Sequence, residues 1–291
     1  HEDCRRQRQM CIRDRARREV MPAAEISRAL SAPASVRISE RRREEGLELL
    51  DEARAVAAAA GAAEIEGVAC YVKAIALQQL GDDDGGHDLI TQSVALLRRA
   101  GDDLRLCQAL MVLGASLLDR GALDRGRALL EEAVQIADLI GQPFARCRSR
   151  LRLALAWLPT SPFSARHLIE TGLQIVRQDR DPILRDEMEA WQGLVFLLSG
   201  APDAAIPLLE ASIEQPTLIR DFRLLLQAAL AAARALCGDP VGAQAAIPTD
   251  LDGQSVTNRR LSEALILIAR GATEELEALT QDGPVRSLLL R

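Results

Sequence analysis

Residues 107–138, CQALMVLGASLLDRGALDRGRALLEEAVQIAD, contain two apolar stretches that are separated by a short polar turn. In the first stretch Leu110, Leu113 and Leu117 follow one another at intervals of three and four residues, and Leu130 and Ala133 continue this spacing in the second. Apolar residues at this spacing lie on one face of an α-helix. The segment therefore predicts two helices that pack against each other as a hairpin.

The hairpin recurs along the chain with a period of forty residues. Glycines occur every twenty residues, at Gly61, Gly81, Gly101, Gly121 and Gly141. Each follows an apolar run, at the place where the C-terminus of a helix accepts glycine without a steric penalty. Two helices in every forty residues is the organisation of a helical-repeat protein.

Small residues keep the same place in successive repeats, each followed four residues later by a large aliphatic residue. These positions are Gly46, Gly86 and Gly126, followed by Leu50, Ile90 and Leu130. A glycine at a fixed point lets two helices approach closely, and the aliphatic side chain fills the space beside it. The repetition predicts that the same helix–helix contact is made in each hairpin.

The segment 107–138 resembles a tetratricopeptide repeat. The matching positions are Leu110, Leu113, Gly114 and Leu117 in the first helix and Gly126, Leu130 and Ala133 in the second. Asp138 stands where that family usually has a proline, and the period is forty rather than about 34. The longer repeat is similar to those of large bacterial signal-transduction regulators, in which a P-loop ATPase precedes the repeats and a LuxR-type DNA-binding domain sometimes follows. The resemblance implies an all-α fold, a right-handed α-solenoid of antiparallel helical hairpins.

The strength of the resemblance divides the chain. Residues 45–216 are predicted to form the tetratricopeptide-like repeats, and residues 217–291 to form shorter, degenerate repeats. Residues 16–44 are expected to hold a truncated first hairpin or linker, because we expect the biological sequence to begin within a repeat. Pro207 is the one proline that fits this organisation poorly, since proline breaks a helix interior, but it could fit the first turn of its helix.

The stretch 4–15, CRRQRQMCIRDR, matches residue for residue a translation of a widely used transposase sequencing adapter. We therefore expect residues 1–15 to be a non-native segment that makes no stable contact with the repeats. These residues hold five arginines and three acidic residues, which leaves 31 basic and 39 acidic residues and a net charge of −8. The remaining cysteines are widely spaced and are expected to be buried as small apolar residues. They are Cys70, Cys107, Cys147 and Cys237.

Composition excludes several classes of function. The net charge of the whole chain, −6, argues against general affinity for nucleic acid, which needs a basic surface. The longest apolar run, near residues 224–233, is too short to cross a bilayer. We therefore expect this chain to bind neither nucleic acid nor membrane, and the resemblance to bacterial regulators implies a cytoplasmic protein.

No enzyme motif is found in the sequence. A P-loop, a dinucleotide-binding glycine motif and a zinc motif of the H-E-x-x-H or C-x-x-C type are all missing. His87 and His167 are expected to be exposed near the starts of second helices rather than to bind metal. The sequence thus predicts a non-catalytic chain without a cofactor or a metal.

A binding groove is the candidate site that the family resemblance implies. In tetratricopeptide arrays the first helices line a concave groove. A register of forty residues projects Tyr71, Met111, Leu151 and Trp191 into it. These residues would contact a peptide, a protein or a small effector.

Two arginines beside this row supply the expected charge. Arg148 and Arg152 are one helical turn apart and share a face, so two guanidinium groups would hold a carboxylate or an acidic peptide. The alternative is that Met111 and Leu151 are packing residues and that the four arginines of residues 146–152 only solvate a helix.

The sequence therefore favours a non-catalytic scaffold or sensor region that binds a protein, peptide or small effector. By resemblance, it would be a fragment of a larger bacterial transcriptional or signalling regulator. The alternative is a stand-alone adaptor that bridges two partners. An all-helical enzyme is the least favoured class, because no nucleophile, base or metal cluster converges.

Overall fold

The computed structural model describes residues 43–179, 181–252 and 256–280. Within these ranges the regular elements are thirteen α-helices, which confirms the all-α class. They are α1 (Arg43–Ala59), α2 (Ala63–Gln79), α3 (Asp83–Ala100), α4 (Asp103–Asp119), α5 (Leu123–Ile140), α6 (Pro143–Trp157), α7 (Pro162–Asp179), α8 (Pro182–Leu198), α9 (Pro202–Ile213), α10 (Arg220–Leu236), α11 (Pro240–Ala246), α12 (Val256–Arg270) and α13 (Thr273–Thr280). The predictions for residues 1–15 and for most of residues 16–44 lie outside the described residues.

Helices end at the glycines that the sequence singled out. Gly101 and Gly141 have φ angles of 72° and 77°, in the left-handed region that favours glycine, and each caps the helix before it. The amide of Gly101 donates a hydrogen bond of 3.0 Å to the carbonyl oxygen of Leu97. The predicted C-termini are therefore confirmed.

Acidic residues and prolines mark the helix starts. The carboxylate of Asp82 accepts a hydrogen bond of 2.9 Å from the amide of Gly85, and Asp102 accepts one of 3.0 Å from Arg105. These bonds satisfy amides that have no partner inside the helix. Several later helices begin with a proline, whose missing amide hydrogen costs nothing at this position.

The chain divides into two compact units, His1–Leu113 and Gly114–Arg291, and the division falls within α4. In the first unit α2 and α3 form a close hairpin. The hydroxyl of Ser93 donates a hydrogen bond of 2.7 Å to the carbonyl oxygen of Gly67 across the two helices. A Cβ added at Gly86 would lie 3.1 Å from the carbonyl oxygen of Ala74, so glycine permits this approach.

The second unit begins with the last turns of α4, which pack against α5. A Cβ at Gly126 would lie 2.9 Å from the carbonyl oxygen of Gly114, and one at Gly114 would lie 2.7 Å from Cγ of Leu130. These are the small and large positions that the repeat pattern predicted to make the hairpin contact.

Two apolar clusters follow in the second unit. Helices α6, α7 and α8 enclose Leu151, Ile169 and Met188, and helices α8 to α12 enclose Leu226 and Leu265. No helix in the described part of the chain is long and apolar enough to span a membrane.

Later second helices are short, since α9 has 12 residues, α11 has 7 and α13 has 8. Pro207 lies inside α9, five residues after its first residue, Pro202. The expectation that Pro207 lies in the first turn is therefore wrong. Because proline has no amide hydrogen, the backbone hydrogen bond to residue 203 is lost at this point.

Candidate ligand-binding face

One exposed stripe runs along α6. Phe144, Arg148 and Arg152 are four residues apart and reach solvent, whereas Cys147 and Leu151 between them are buried. Residues four apart lie above one another on a helix. Half of the surface of Phe144 is exposed, so α6 presents an aromatic ring and two guanidinium groups on a single face.

A matching stripe runs along α8, thirty-nine residues later. Ile183 is 61% exposed, and Glu187 and Trp191 are partly exposed at the following turns. The guanidinium of Arg148 forms an ion pair with the carboxylate of Glu187, so the two stripes are neighbours on the same side of the second unit. We call Phe144, Arg148, Arg152, Ile183, Glu187 and Trp191 the α6–α8 face.

Aromatic contacts hold both ends of this face. The guanidinium carbon of Arg148 lies 5.5 Å from the ring centre of Phe144, within the range of a cation–π contact. The ring of Trp191 lies 5.0 Å from that of Phe222 on α10 and packs against the core. Trp191 is thus held in place and remains partly exposed.

The register of the face corrects part of the sequence prediction. Leu151 is 2% exposed and packs in the core, and Met111 of the first unit is 9% exposed. Met111 and Leu151 are therefore packing residues, which is the alternative that the sequence left open. The step from α6 to α8 is 39 residues rather than 40, so Arg152, and not Leu151, is the counterpart of Trp191. One residue is a rotation of about 100° around a helix, which explains why Leu151 and Trp191, forty residues apart, do not share a face.

Tyr71 is the other predicted site residue of the first unit. It lies on α2 and is partly exposed. Tyr71 and Met111 belong to the first unit, whereas the α6–α8 face belongs to the second. Of the six residues proposed from the sequence, Arg148, Arg152 and Trp191 share one face.

The remaining arginines of α6 have a structural task that sequence reasoning missed. Arg150 donates to both carboxylate oxygens of Asp138 at the end of α5, at 2.9 and 2.8 Å, and Arg146 donates to the same carboxylate at 3.0 Å. Only 9% of the Arg150 side chain is exposed. The alternative in which all four arginines solvate a helix is therefore wrong for Arg150.

The Asp138 carboxyl responds to this environment in two ways. Partial burial acts to raise its pKa, but the hydrogen bonds and charges of Arg150 and Arg146 outweigh that effect and hold the pKa below the ordinary value of 3.8. Asp138 is therefore a carboxylate at neutral pH. Its hydrogen bonds connect α5 to arginines of α6 that are not part of the exposed stripe.

The described cysteines supply no thiol to the α6–α8 face. Burial raises the pKa of Cys70 and raises that of Cys107 to about 11, so both thiols stay protonated at neutral pH. Cys147 is buried, as predicted, but Cys237 is exposed, because it follows the last residue of α10 in a turn. In the described residues no three His, Cys, Asp or Glu side chains form a group that could hold a metal ion.

Known structures share this architecture. The apo form of RapI matches with a TM-score of 0.63 at 8% sequence identity, over 87% of this chain and 99% of that one. A signal-transduction ATPase of the STAND class with a tetratricopeptide repeat sensor, from Pyrococcus horikoshii, matches with a TM-score of 0.59 at 15% identity, over 89% of this chain and 39% of that protein. The Rap conjugation gene regulator of plasmid pLS20, in complex with the Phr* peptide, matches with a TM-score of 0.54 at 16% identity, over 87% and 75% of the two chains.

These similarities concern the fold. No protein-family model and no curated protein sequence matches the chain. Together with the hairpins described above, the structural matches show that this chain has a tetratricopeptide-like helical-repeat fold, as the glycine and leucine pattern predicted.

Proposed function

We propose that this chain is a non-catalytic binding region and that its α6–α8 face holds a peptide or an extended segment of a protein. The observation that carries the proposal is the exposed stripe of Phe144, Arg148 and Arg152 beside Ile183 and Trp191. Exposed large apolar side chains grouped with guanidinium groups are typical of the anchoring residues of an interface. The Rap regulator that shares the fold is described in complex with a peptide, which supports the same class of ligand.

The chemistry of the face favours a ligand with a carboxylate and an apolar side chain. Arg152 is exposed, whereas Arg148 is partly buried, so a ligand carboxylate would meet Arg152 first. An apolar side chain of the ligand would contact Phe144 or Ile183. A small effector that carries both groups is the second form of ligand that fits, and nucleic acid is not expected to bind.

At the level of the whole protein, we propose that the repeats act as the sensor of a cytoplasmic bacterial regulator. Similarity to a STAND ATPase with a tetratricopeptide repeat sensor supports this class, although that fold match covers only 39% of that protein. A sensor of this kind shifts an on/off equilibrium by binding its ligand more tightly in one state.

The alternative is an adaptor that bridges two proteins. A coding sequence in which a P-loop ATPase precedes these repeats would favour the regulator, and one without an ATPase or a DNA-binding domain would favour the adaptor.

The binding proposal is tested with a library of random twelve-residue peptides displayed on phage and selected on the purified chain. Enriched peptides are synthesised with a fluorophore, and their affinity is measured by anisotropy. We expect them to contain an acidic and an apolar residue. We also expect Arg152→Glu to weaken binding at least tenfold, because the substitution places a negative charge where a carboxylate has to bind.

Two further variants make the result specific to the face. Arg177→Glu changes the same charge at an exposed position of α7 and should leave the affinity within about twofold. The charge exchange Arg148→Glu with Glu187→Arg keeps an ion pair between α6 and α8 and should weaken binding less than Arg152→Glu does. Peptides that bind Arg152→Glu and Phe144→Ala as tightly as the unchanged chain would remove the α6–α8 face as the site.

A further inference from the structure

Arg127 of α5 makes three contacts with one end of α6. Its guanidinium carbon lies 4.6 Å from the ring centre of Trp157, which is the last residue of α6. Its Nε donates to the carbonyl oxygen of Ala156 at 3.2 Å, and an Nη donates to the hydroxyl of Thr160 at 2.7 Å. Only 12% of the Arg127 side chain is exposed.

Arg166 of α7 makes the same kinds of contact at the end of α8. Its guanidinium carbon lies 4.9 Å from the ring centre of Phe196. Its Nε donates to the hydroxyl of Ser199 at 2.7 Å, and an Nη donates to the carbonyl oxygen of Ser199 at 3.1 Å. In both cases the aromatic residue follows the arginine by 30 residues and the hydroxyl residue follows it by 33.

The site of contact explains why arginine is used. The last carbonyl groups of a helix have no partner inside the helix, and that end carries the negative pole of the helix dipole. A guanidinium group supplies a positive charge and several donors in one plane, and its flat surface covers an aromatic ring. One side chain therefore satisfies the helix end and shields its aromatic residue.

The following junction of repeats has a different connection. The equivalent positions, thirty-nine residues after the second set, are Ala205, Ala235 and Gly238. There Arg234 of α10 donates at 2.7 Å to the carboxylate of Glu210 on α9. In the described residues of the second unit the arginine–aromatic–hydroxyl set thus joins α5 to α6 and α7 to α8.

We propose that these two sets are a repeated coupling element, which we call the arginine clamp: Arg127 with Trp157 and Thr160, and Arg166 with Phe196 and Ser199. Each clamp lets the second helix of one repeat hold the C-terminal turn of the first helix of the next repeat. That turn can open only when the clamp breaks. The clamp therefore fixes neighbouring repeats in one arrangement, and it does so on the two helices that carry the α6–α8 face.

Hydrogen exchange of individual amides tests the first clamp. The amides of Thr160 and Ser161 both donate to the carbonyl oxygen of Trp157, at 3.0 and 2.7 Å, so they report on the clamped turn. We expect Arg127→Ala to speed the exchange of these two amides at least tenfold and that of the α8 C-terminal turn less than threefold. Arg166→Ala should show the reverse, with faster exchange at Ser199 and Gly200.

Tryptophan fluorescence gives a second, direct signal. The chain has two tryptophans, and Trp191→Phe leaves Trp157 as the only one. In that background Arg127→Ala should shift the emission of Trp157 to longer wavelength, because the guanidinium no longer covers the ring. Arg166→Ala should leave the emission unchanged. Arg127→Lys keeps a charge over the ring but loses the forked hydrogen bonds, so it should restore the emission more completely than the exchange protection.

Arg125→Ala is the matched control, since Arg125 is exposed on the same turn of α5 and its loss changes the charge equally. The proposal is overturned if Arg127→Ala and Arg125→Ala give the same exchange pattern. It is also overturned if Arg127→Ala speeds exchange uniformly along the chain, because the arginine would then contribute only to global stability.

Discussion

Replacing Asp138 with asparagine is expected to destabilise the second unit by about 2 kcal/mol. The substitution keeps the shape of the side chain but leaves the guanidinium of Arg150, of which 9% is exposed, without its carboxylate. Breaking a fully buried ion pair by removing one partner costs about 3–5 kcal/mol, whereas exposed pairs contribute about 0–1 kcal/mol. Asp138 is 41% exposed, so water compensates part of the loss, and the expected cost lies between these limits.

The effect has a defined dependence on pH. Because the folded pKa of Asp138 lies below its ordinary value, the ionised carboxylate stabilises the folded state above that ordinary value. This stability is lost as the pH falls through the folded pKa. The difference in unfolding free energy between the unchanged chain and Asp138→Asn should therefore be constant near neutral pH and shrink in acid.

Urea denaturation followed by tryptophan fluorescence measures this difference, because Trp157 lies at the end of α6. A cycle with Arg150→Met and the double variant should give a coupling of about 1–3 kcal/mol between the two residues. Glu131→Gln removes an exposed carboxylate from the same helix and should change stability by less than about 0.5 kcal/mol. A loss below that size for Asp138→Asn, or one that stays the same in acid, would refute the argument.

Three further outcomes can be measured on single variants. Gly126→Ala should lower the urea midpoint, although alanine normally stabilises a helix by about 1 kcal/mol, because its Cβ would lie 2.9 Å from the carbonyl oxygen of Gly114; a higher midpoint would contradict the close packing of α4 and α5. Leu151→Ala should cost about 2–5 kcal/mol in urea denaturation, since the side chain is fully packed, and a cost below about 1 kcal/mol would place it outside the core. At pH 8 an alkylating reagent should modify Cys237 in the native protein but Cys107 only in urea, because burial raises the pKa of Cys107 to about 11; peptide mass spectrometry that finds equal rates would contradict this burial.

Helix ends were predictable from the sequence because they depend on local geometry. Gly101 and Gly141 adopt left-handed backbone angles that other residues reach only with strain, so a glycine after an apolar run marks a C-terminus without knowledge of the fold. The close contact between Gly114 and Gly126 was predictable for a related reason. A small residue that recurs at one position of each repeat indicates that two helices approach closely there.

The pairing of Arg150 with Asp138 was not predicted, because it depends on how α6 is rotated against α5. The arginines at 146, 148, 150 and 152 alternate along the helix, so 146 and 150 share one face and 148 and 152 share another. The sequence did contain a signal for the contact of Arg146 and Arg150 with Asp138. Asp138 replaces the proline of the resembling repeat, and a carboxylate in the last turn of one helix is near the first turns of the next.

The offset of Trp191 from the other residues of the predicted row follows from a single missing residue, which can be located in the sequence. Glycines follow one another every twenty residues as far as Gly141, but Ser161 stands at the next place, and the helix end equivalent to Gly121 is reached at Gly200, after 79 residues rather than 80. Both glycines have the same left-handed backbone, with φ angles of 77° and 78°. The repeat formed by α6 and α7 is therefore one residue short, and every position projected across it at forty-residue spacing rotates by about 100°. That rotation takes Trp191 out of the row of Met111 and Leu151, which are both buried, and places it in the row of Arg152. The break in the glycine series at Ser161 is thus a signal in the sequence for this change of register.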